Sequence, residues 1–312
     1  LPHRVTLTAS PDSVDAHLSA ALGTDVHLCI HIGPARANRK PVLQLLDADA
    51  RTVGFAKIGF NELTRSLVDE ETAALRRLSQ TRLQRLRAPR VLHAGSWRGN
   101  SVLVQEALPG WSRPARSDPR RLADAMRELA ECLGVEDASL SKSGYAATLH
   151  ERLDVLAERA DPDAATLVEA GRRLLRGSGE QRLAFGAWHG DWTPWNCTEL
   201  SGEVLLWDFE RFTSGVPIGF DALHYSLQSD IVTRGGDPTT AVLSLLAGAA
   251  RLLRPFNVDA DASAVCVRLY LVDLAARYLA DRQAEAGAPL GALGRWLLPT
   301  LLRHVTADGG TR

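Results

Sequence analysis

The segment His189-Gly190-Asp191-Trp192-Thr193-Pro194-Trp195-Asn196 sets a carboxylate and a carboxamide five positions apart. Twelve residues past Asn196, an apolar run from Val204 to Trp207 delivers a second carboxylate in Trp207-Asp208-Phe209-Glu210. Phosphoryl transfer needs groups of these types: an acid that receives or orients an attacking hydroxyl, and oxygen ligands that hold Mg²⁺ on the phosphates. The Asp-x₄-Asn spacing lets one loop aim Asp191 at a substrate and Asn196 at the metal, with Asp208 as the other metal ligand. An isolated Asp or Asn in a turn does no more than cap local structure. Both motifs at this spacing favour chemistry.

A third signal lies in the basic residues. Lys and Arg together number 36, and only Lys40, Lys57 and Lys142 are Lys. In a chain that uses Arg by default, a Lys kept inside the apolar run Val53-Gly54-Phe55-Ala56-Lys57-Ile58 asks for a reason, because a compact point charge and a planar fork are not interchangeable. The bland alternative is a strand-end lysine reaching solvent.

HGDWTPWN followed by WDFE resembles the catalytic loop and metal-binding motif of the aminoglycoside phosphotransferase and choline kinase group, small-molecule kinases with a protein-kinase-like fold. The resemblance runs from about Val26 to about Leu227. It implies that Lys57 contacts the α- and β-phosphates and that Glu71, on the following helix, pairs with it; Glu70 is the competing carboxylate. It implies that Val102 to Gly110 is the hinge between lobes, where the adenine bonds to backbone near Glu106 and Ala107. It also implies ATP or GTP as donor and Mg²⁺ as the metal. Three departures stand out. The loop Gly33-Pro34-Ala35-Arg36-Ala37-Asn38-Arg39-Lys40 has one Gly and three bases where a Gly-rich turn covers phosphate in protein kinases. Thr193 replaces a His, and Trp195 replaces a Gly. Trp195 either lines an acceptor pocket or packs in the core, and core packing is the reading adopted. His189 is expected to brace the loop, and Asp221 to be a structural carboxylate at a helix N-terminus.

The elements that must position these residues follow from pattern. Residues 12–22 read as a helix stopped by Gly23. Val26–Ile32, Val42–Leu46 and Val53–Ile58 read as an antiparallel meander. Glu62 to Leu86 has apolar residues at helical spacing, with an interruption near Ser79. Val91–His93 and Ser101–Gln105 resume the strands. After Pro109-Gly110, helical patterns cover 121–133, 146–159, 163–176, 221–233, 238–254, 262–285 and 290–305, with a strand-loop-strand unit at 183–210. The expected fold is therefore α+β and two-lobed, protein-kinase-like. A small antiparallel sheet with one main helix forms a nucleotide-binding lobe (1–106), and a larger, mostly helical lobe (107–312) carries the catalytic loop and the acceptor site.

Composition sets the outer limits. The chain has 312 residues and a formal net charge of −1, so nucleic acid is not the expected partner. Seven Arg between Arg76 and Arg98 read as a solvated face. No apolar run reaches the roughly 18 residues of a membrane span, and Leu1–Asp15 lacks the pattern of a signal peptide. The chain starts without Met, and a processed or trimmed start is expected. Cys29, Cys132, Cys197 and Cys266 are scattered without a CxxC pair, which suits a reducing cytoplasm. The expected partner is a small molecule bearing a hydroxyl. Between Trp195, Tyr225 and Tyr270 as stacking faces and the mixed charges of 262–285, a sugar or polyol is preferred to a polycationic aminoglycoside. The alternatives are a catalytically inactive nucleotide-binding module, disfavoured by the presence of Lys57, Asp191, Asn196 and Asp208 together, and a protein kinase, disfavoured by the lack of a DFG triplet and an APE-like segment.

Overall fold

The computed structural model describes residues 10–31, 33, 38–110, 114–281 and 299–300. Helix α1 (Val14–Leu22) ends at Gly23, whose φ of 67° closes the helix without a Cβ penalty. Strands β1 (His27–His31), β2 (Val42–Leu46) and β3 (Thr52–Gly59) form the expected antiparallel meander. Helix α2 (Glu62–Leu78) starts in a reciprocal cap: Asn61 Oδ1 accepts the Thr64 N–H at 2.8 Å, and the Thr64 hydroxyl accepts the Asn61 N–H at 3.0 Å. After the short β4 (Leu86–Arg87), strands β5 (Val91–Trp97) and β6 (Asn100–Glu106) complete a five-stranded sheet in the order β1-β2-β3-β6-β5.

Period-two alternation decides what this sheet offers on each face. Leu43, Leu45, Ala56, Ile58, Val102 and Val104 are buried together with Leu18 of α1. The opposite face carries Val42 beside Lys57, and Phe55 beside Gln105. A one-residue slip of β3 would put Ala56 where Lys57 must stand, so burial of the first face fixes the lysine on the second.

The larger part comprises α3 (Pro119–Glu131), β7 (Glu136–Ser139), α4 (Gly144–Ala157), α5 (Pro162–Gly177), β8 (Arg182–Trp188), β9 (Cys197–Glu199), β10 (Val204–Leu206), β11 (Thr213–Pro217), α6 (Phe220–Gln228), α7 (Pro238–Leu253) and α8 (Ala260–Ala280). Asp118, Asp161, Asp237 and Asp259 each accept a first-turn N–H, and α3, α5 and α7 carry Pro in that turn. Helix α8 is buried nearly all round, from Cys266 through Ala276, and is the central post against which α4, α5, α6 and α7 pack. Strand β8 lies between β7 and β11, and β10 lies between β4 and β9. These two small sheets hold the segments on either side of the catalytic loop. No single helix among the described residues is long and apolar enough to cross a membrane.

The structure corrects several expected elements. The helix drawn to Leu86 stops at Leu78. Ser79, Gln80 and Thr81 satisfy its last carbonyls, and Leu86 leaves to pair with Val204. Strand β7 was not expected, because Glu136-Asp137-Ala138-Ser139 lacks an apolar face and pairs at the rim of β8. Helix α6 ends at Gln228 and passes into a π turn at Ser229–Thr233. Residues 282–285 of one expected helix, and all of 290–305 except 299 and 300, lie outside the described residues, as do Pro34 to Ala37 with Arg36.

Candidate functional site

Between the inner face of the sheet and the β8–β9 and β10–β11 connections lies a cavity of about 720 Å³, lined by Phe55 and Lys57 from above and by Trp195, Asn196, Trp207 and Asp208 from below. Its size matches ligand sites for nucleotide-sized molecules.

Lys57 Nζ donates to both oxygens of Glu71 at 2.7 Å and also to Asp208. Glu71 is fully buried and accepts the Phe209 N–H at 3.2 Å as well. It sits in the apolar stripe Leu67, Leu75, Leu78 of α2, whereas Glu70 is exposed and bonds Ser66. The choice between the two is thus set by helix phase. Burial works against the charge of Lys57, yet the carboxylates of Asp208, Glu71 and Glu210 outweigh it and raise its pKa above the usual range. Burial likewise opposes the charge of Asp208, and Lys57 and Lys40 overcome it, holding that carboxyl below its usual range. Asp208 has φ 72°, the left-handed region, which costs a non-Gly residue of order 1 kcal/mol or more.

The catalytic-loop candidate is pinned from several sides. Asp221 is almost fully buried and accepts the backbone N–H of His189 at 2.8 Å and of Gly190 at 3.2 Å. Burial raises its pKa to about 7 against these donors. Arg277 of α8 donates to the Gly190 carbonyl at 2.6 Å and lies over the Trp188 ring. Gly190 has φ 82°, and a Cβ there would sit 2.5 Å from the Arg211 carbonyl oxygen, so only Gly fits. His189 is fully buried; its Nδ1 accepts the Asp191 N–H at 3.2 Å, so its Nε2–H donates to the Trp207 carbonyl at 3.1 Å. Burial lowers its pKa to about 4. His189 therefore joins the two motifs as a brace, as expected from sequence.

Asp191 remains 36% exposed at its side chain. Its Oδ2 takes Asn196 Nδ2 at 2.9 Å, and its Oδ1 takes His224 Nε2 at 3.1 Å. Burial opposes its charge, but His224 and Arg277 outweigh that and lower its pKa. Since Asn196 spends its amide hydrogens on Asp191, its carbonyl oxygen is left for a cation. Carboxylate oxygens of Glu71, Asp208 and Glu210 lie within 4.8 Å of one another. A hard, oxygen-seeking divalent cation suits this donor set of Asp208, Glu210 and Asn196 around one cavity.

Other candidates come out differently. Glu106 lines the cavity, but its carboxylate is taken by Arg87 at 2.7 Å and Arg90 at 3.0 Å, which together overcome burial and lower its pKa. Ala107 is half-buried and is not a lining residue; Gln105, Leu108 and Gly110 form that wall. Trp195 is 46% exposed and lines the cavity, so the core-packing reading is wrong for it; Trp192 is the tryptophan of this loop that packs in the core. Tyr270 offers no stacking face, being fully buried against His224. Two acids of the expected 262–285 helix are already engaged, Asp273 by Arg152 and Asp281 by Arg211.

Three residues escaped the sequence reading, Glu210, Gln105 and His224, and a fourth, Tyr270, was read there only as a stacking face. Glu210, two positions past Asp208, binds Lys40 and accepts from Asn38 Nδ2 at 2.9 Å. That contact brings the end of the basic loop onto the metal-motif segment. Gln105 is 5% exposed, and its Oε1 has no partner among the described residues. His224 and Tyr270 stand behind Asp191. For Glu210 the signal was its place in WDFE; for the others no local pattern exists.

Solved structures share this fold over almost the whole chain. A thermostable mutant of aminoglycoside phosphotransferase APH(4)-Ia, in ternary complex with ADP and hygromycin B, has a TM-score of 0.58 at 12% identity, covering 96% of this chain and 99% of that one. The streptomycin–ATP ternary complex of APH(2″)-IIa has a TM-score of 0.54 at 13% identity, covering 97% of each chain. Amicoumacin kinase hAmiN, in complex with AMP-PNP, Ca²⁺ and Ami, has a TM-score of 0.51 at 13% identity, covering 96% of this chain and 95% of that one. The chain has the kinase-like fold of these phosphotransferases. No protein-family model and no curated protein sequence matches it.

Proposed function

We propose that the chain is a small-molecule kinase that moves the γ-phosphoryl group of ATP or GTP to a hydroxyl of a small molecule. The observation that carries this is the convergence on one cavity of a buried lysine held by two carboxylates, Glu71 and Asp208, with the Asp191–Asn196 pair beside it. In this reading residues 1–106 hold the nucleotide and residues 107–312 hold the acceptor. Phe55 and Trp207 offer apolar walls to a base, and the unpartnered Gln105 Oε1 suits the exocyclic amine of adenine; the carboxamide turned over would suit the carbonyl of guanine. Lys57, held by Glu71, aligns the α- and β-phosphates. Asp208 and Asn196, with Glu210, would hold Mg²⁺, whose chemistry is to neutralise charge on the phosphate oxygens. Asp191 orients the acceptor hydroxyl and takes its proton as the new O–P bond forms and the bond from the γ-phosphorus to the bridging oxygen breaks, with nucleoside diphosphate leaving. Catalysis is then mainly positioning and charge neutralisation.

The acceptor we favour is a sugar or polyol over an aminoglycoside. The polycations bound by some structural relatives call for unpaired acids, and Asp273 and Asp281 are paired with arginines. Trp195 supplies an exposed ring for stacking on a sugar face.

The test is ADP and GDP release with Mg²⁺ across a panel of sugars, polyols and aminoglycosides, with Asp191→Asn as control. Turnover on one class of acceptor, lost in the variant, is the expected result. Wild type and variant equally inert across the panel would remove the enzyme reading. Radiolabel appearing on protein substrates instead would transfer the activity to the protein-kinase alternative.

A further inference from the structure

His224 is 1% exposed in the second turn of α6, with Nε2 3.1 Å from Asp191 Oδ1 and Nδ1 3.0 Å from the hydroxyl of Tyr270, itself fully buried in α8. These partners determine where the protons are. An ionised carboxylate only accepts, so Nε2 carries the hydrogen; Nδ1 is then a lone pair, and the Tyr270 O–H donates to it. A neutral imidazole in one tautomer thus points a single N–H at one carboxylate oxygen, while Asn196 Nδ2 holds the other at 2.9 Å. The terminal torsion of an aspartate is otherwise broad. With both oxygens held from different elements, α6 and the loop itself, the plane of the carboxylate is set.

We infer that His224, backed by Tyr270, is a positioning residue for the phosphoryl transfer, fixing the plane in which Asp191 meets the acceptor hydroxyl. This rests on the functional reading above and deepens it. His224 touches neither nucleotide walls nor the candidate metal ligands: it is not among the lining residues of the cavity. Its loss should therefore fall on kcat and not on nucleotide affinity. The charged and titratable groups facing this pair are Asp191, Asp221, Asp273 and Arg277, with His189 beside Asp191 in the same loop and Asp208 acting on Asp191 from the other motif.

The experiment uses the full chain with MgATP and measures ADP release to water, and to any acceptor found in the panel, for wild type and for His224→Leu, His224→Gln, Tyr270→Phe and Asp191→Asn. A misplaced general base costs on the order of 10²-fold. His224→Leu is expected to lose about that much in kcat with KM for ATP within about twofold. His224→Gln, whose carboxamide N–H reaches the same oxygen, is expected to recover to within about tenfold of wild type. Tyr270→Phe should lose a few-fold. In an Asp191→Asn background, His224→Leu should add nothing. ¹⁵N shifts of His224 should show the neutral Nε2–H tautomer, a readout that needs no turnover. Retention of kcat within about twofold in both His224→Leu and His224→Gln overturns the inference while leaving the kinase reading intact, as does an Nδ1–H tautomer. A wild type that binds MgATP without releasing ADP under any condition overturns both. Loss of fold in His224→Leu leaves the decision to His224→Gln and Tyr270→Phe.

Discussion

Replacing Glu71 by Ala probes the heart of the nucleotide side. The side chain is fully buried, accepts two bonds of 2.7 Å from Lys57 and one of 3.2 Å from the Phe209 N–H. Removing one partner of a buried ion pair costs about 3–5 kcal/mol when the other charge is stranded. Here Asp208 still neutralises Lys57, so the Coulombic part is smaller, while the orphaned Phe209 N–H adds about 1 kcal/mol or more. The expected loss is about 3 kcal/mol, which at roughly 2–4 °C per kcal/mol for a chain of this size lowers Tm by about 6–12 °C. Glu71→Gln keeps an oxygen for Lys57 and should cost about 1–2 kcal/mol. Glu70→Ala removes an exposed side chain bonded to Ser66 and should stay within about 0.5 kcal/mol. Urea unfolding at pH 7 without nucleotide reads all three. Equal shifts for Glu70→Ala and Glu71→Ala would refute the placement of the buried carboxylate.

Asp191→Asn should lower turnover by at least about 10²-fold while leaving ADP affinity within about threefold, measured by calorimetry beside the kinetic assay. Asp208→Asn should abolish the extra thermal stabilisation that Mg²⁺ gives over nucleotide alone, which a thermal-shift titration with and without chelator checks. Asp221 and His189 should give opposite slopes of stability against pH. The raised pKa of Asp221, about 7 from 3.8, means stability that is full below about pH 4 and lost as pH rises through 7. The lowered pKa of His189, about 4 from 6.5, means stability present above about pH 6.5 and lost as pH falls through 4. Asp221→Asn removes the first slope only, so the variant should gain on wild type between pH 4 and 7, as urea midpoints at pH 5 and 7 would show; a constant difference would refute the assignment.

What could be read without coordinates was what is contiguous or periodic. Asp191, Asn196 and Asp208 stand in two short motifs. Lys57 betrays itself by scarcity in an apolar strand, and Glu71 was named through the family resemblance with Glu70 left open, a choice that the packing of α2 decides. His224 meets Asp191, with Tyr270 behind it, only because α6 packs on α8, a packing fact with no local imprint. Trp195 was misjudged because a large aromatic next to a buried Asn looks like core, and the loop instead turns it outward while Trp192 goes in. Leu83 and Leu86 prolonged a helical spacing that the chain abandons after Leu78, since β10 needed a partner at Leu86 and Arg87.

Two lysines in the cleft already have carboxylate partners: Lys57 with Asp208, and Lys40 with Glu210. A triphosphate arriving alone would draw the lysines off and strand the half-buried Asp208 and the buried Glu210. A cation arriving alone would claim the anions, strand the buried Lys40 ammonium and leave Lys57 to Glu71 alone. Arriving as a pair, each takes one half of both bridges and leaves no charge unmatched. Under the kinase reading, this wiring predicts thermodynamic synergy between metal and nucleotide: each should bind feebly by itself and tightly in the company of the other, by the same reciprocal factor whichever is titrated first.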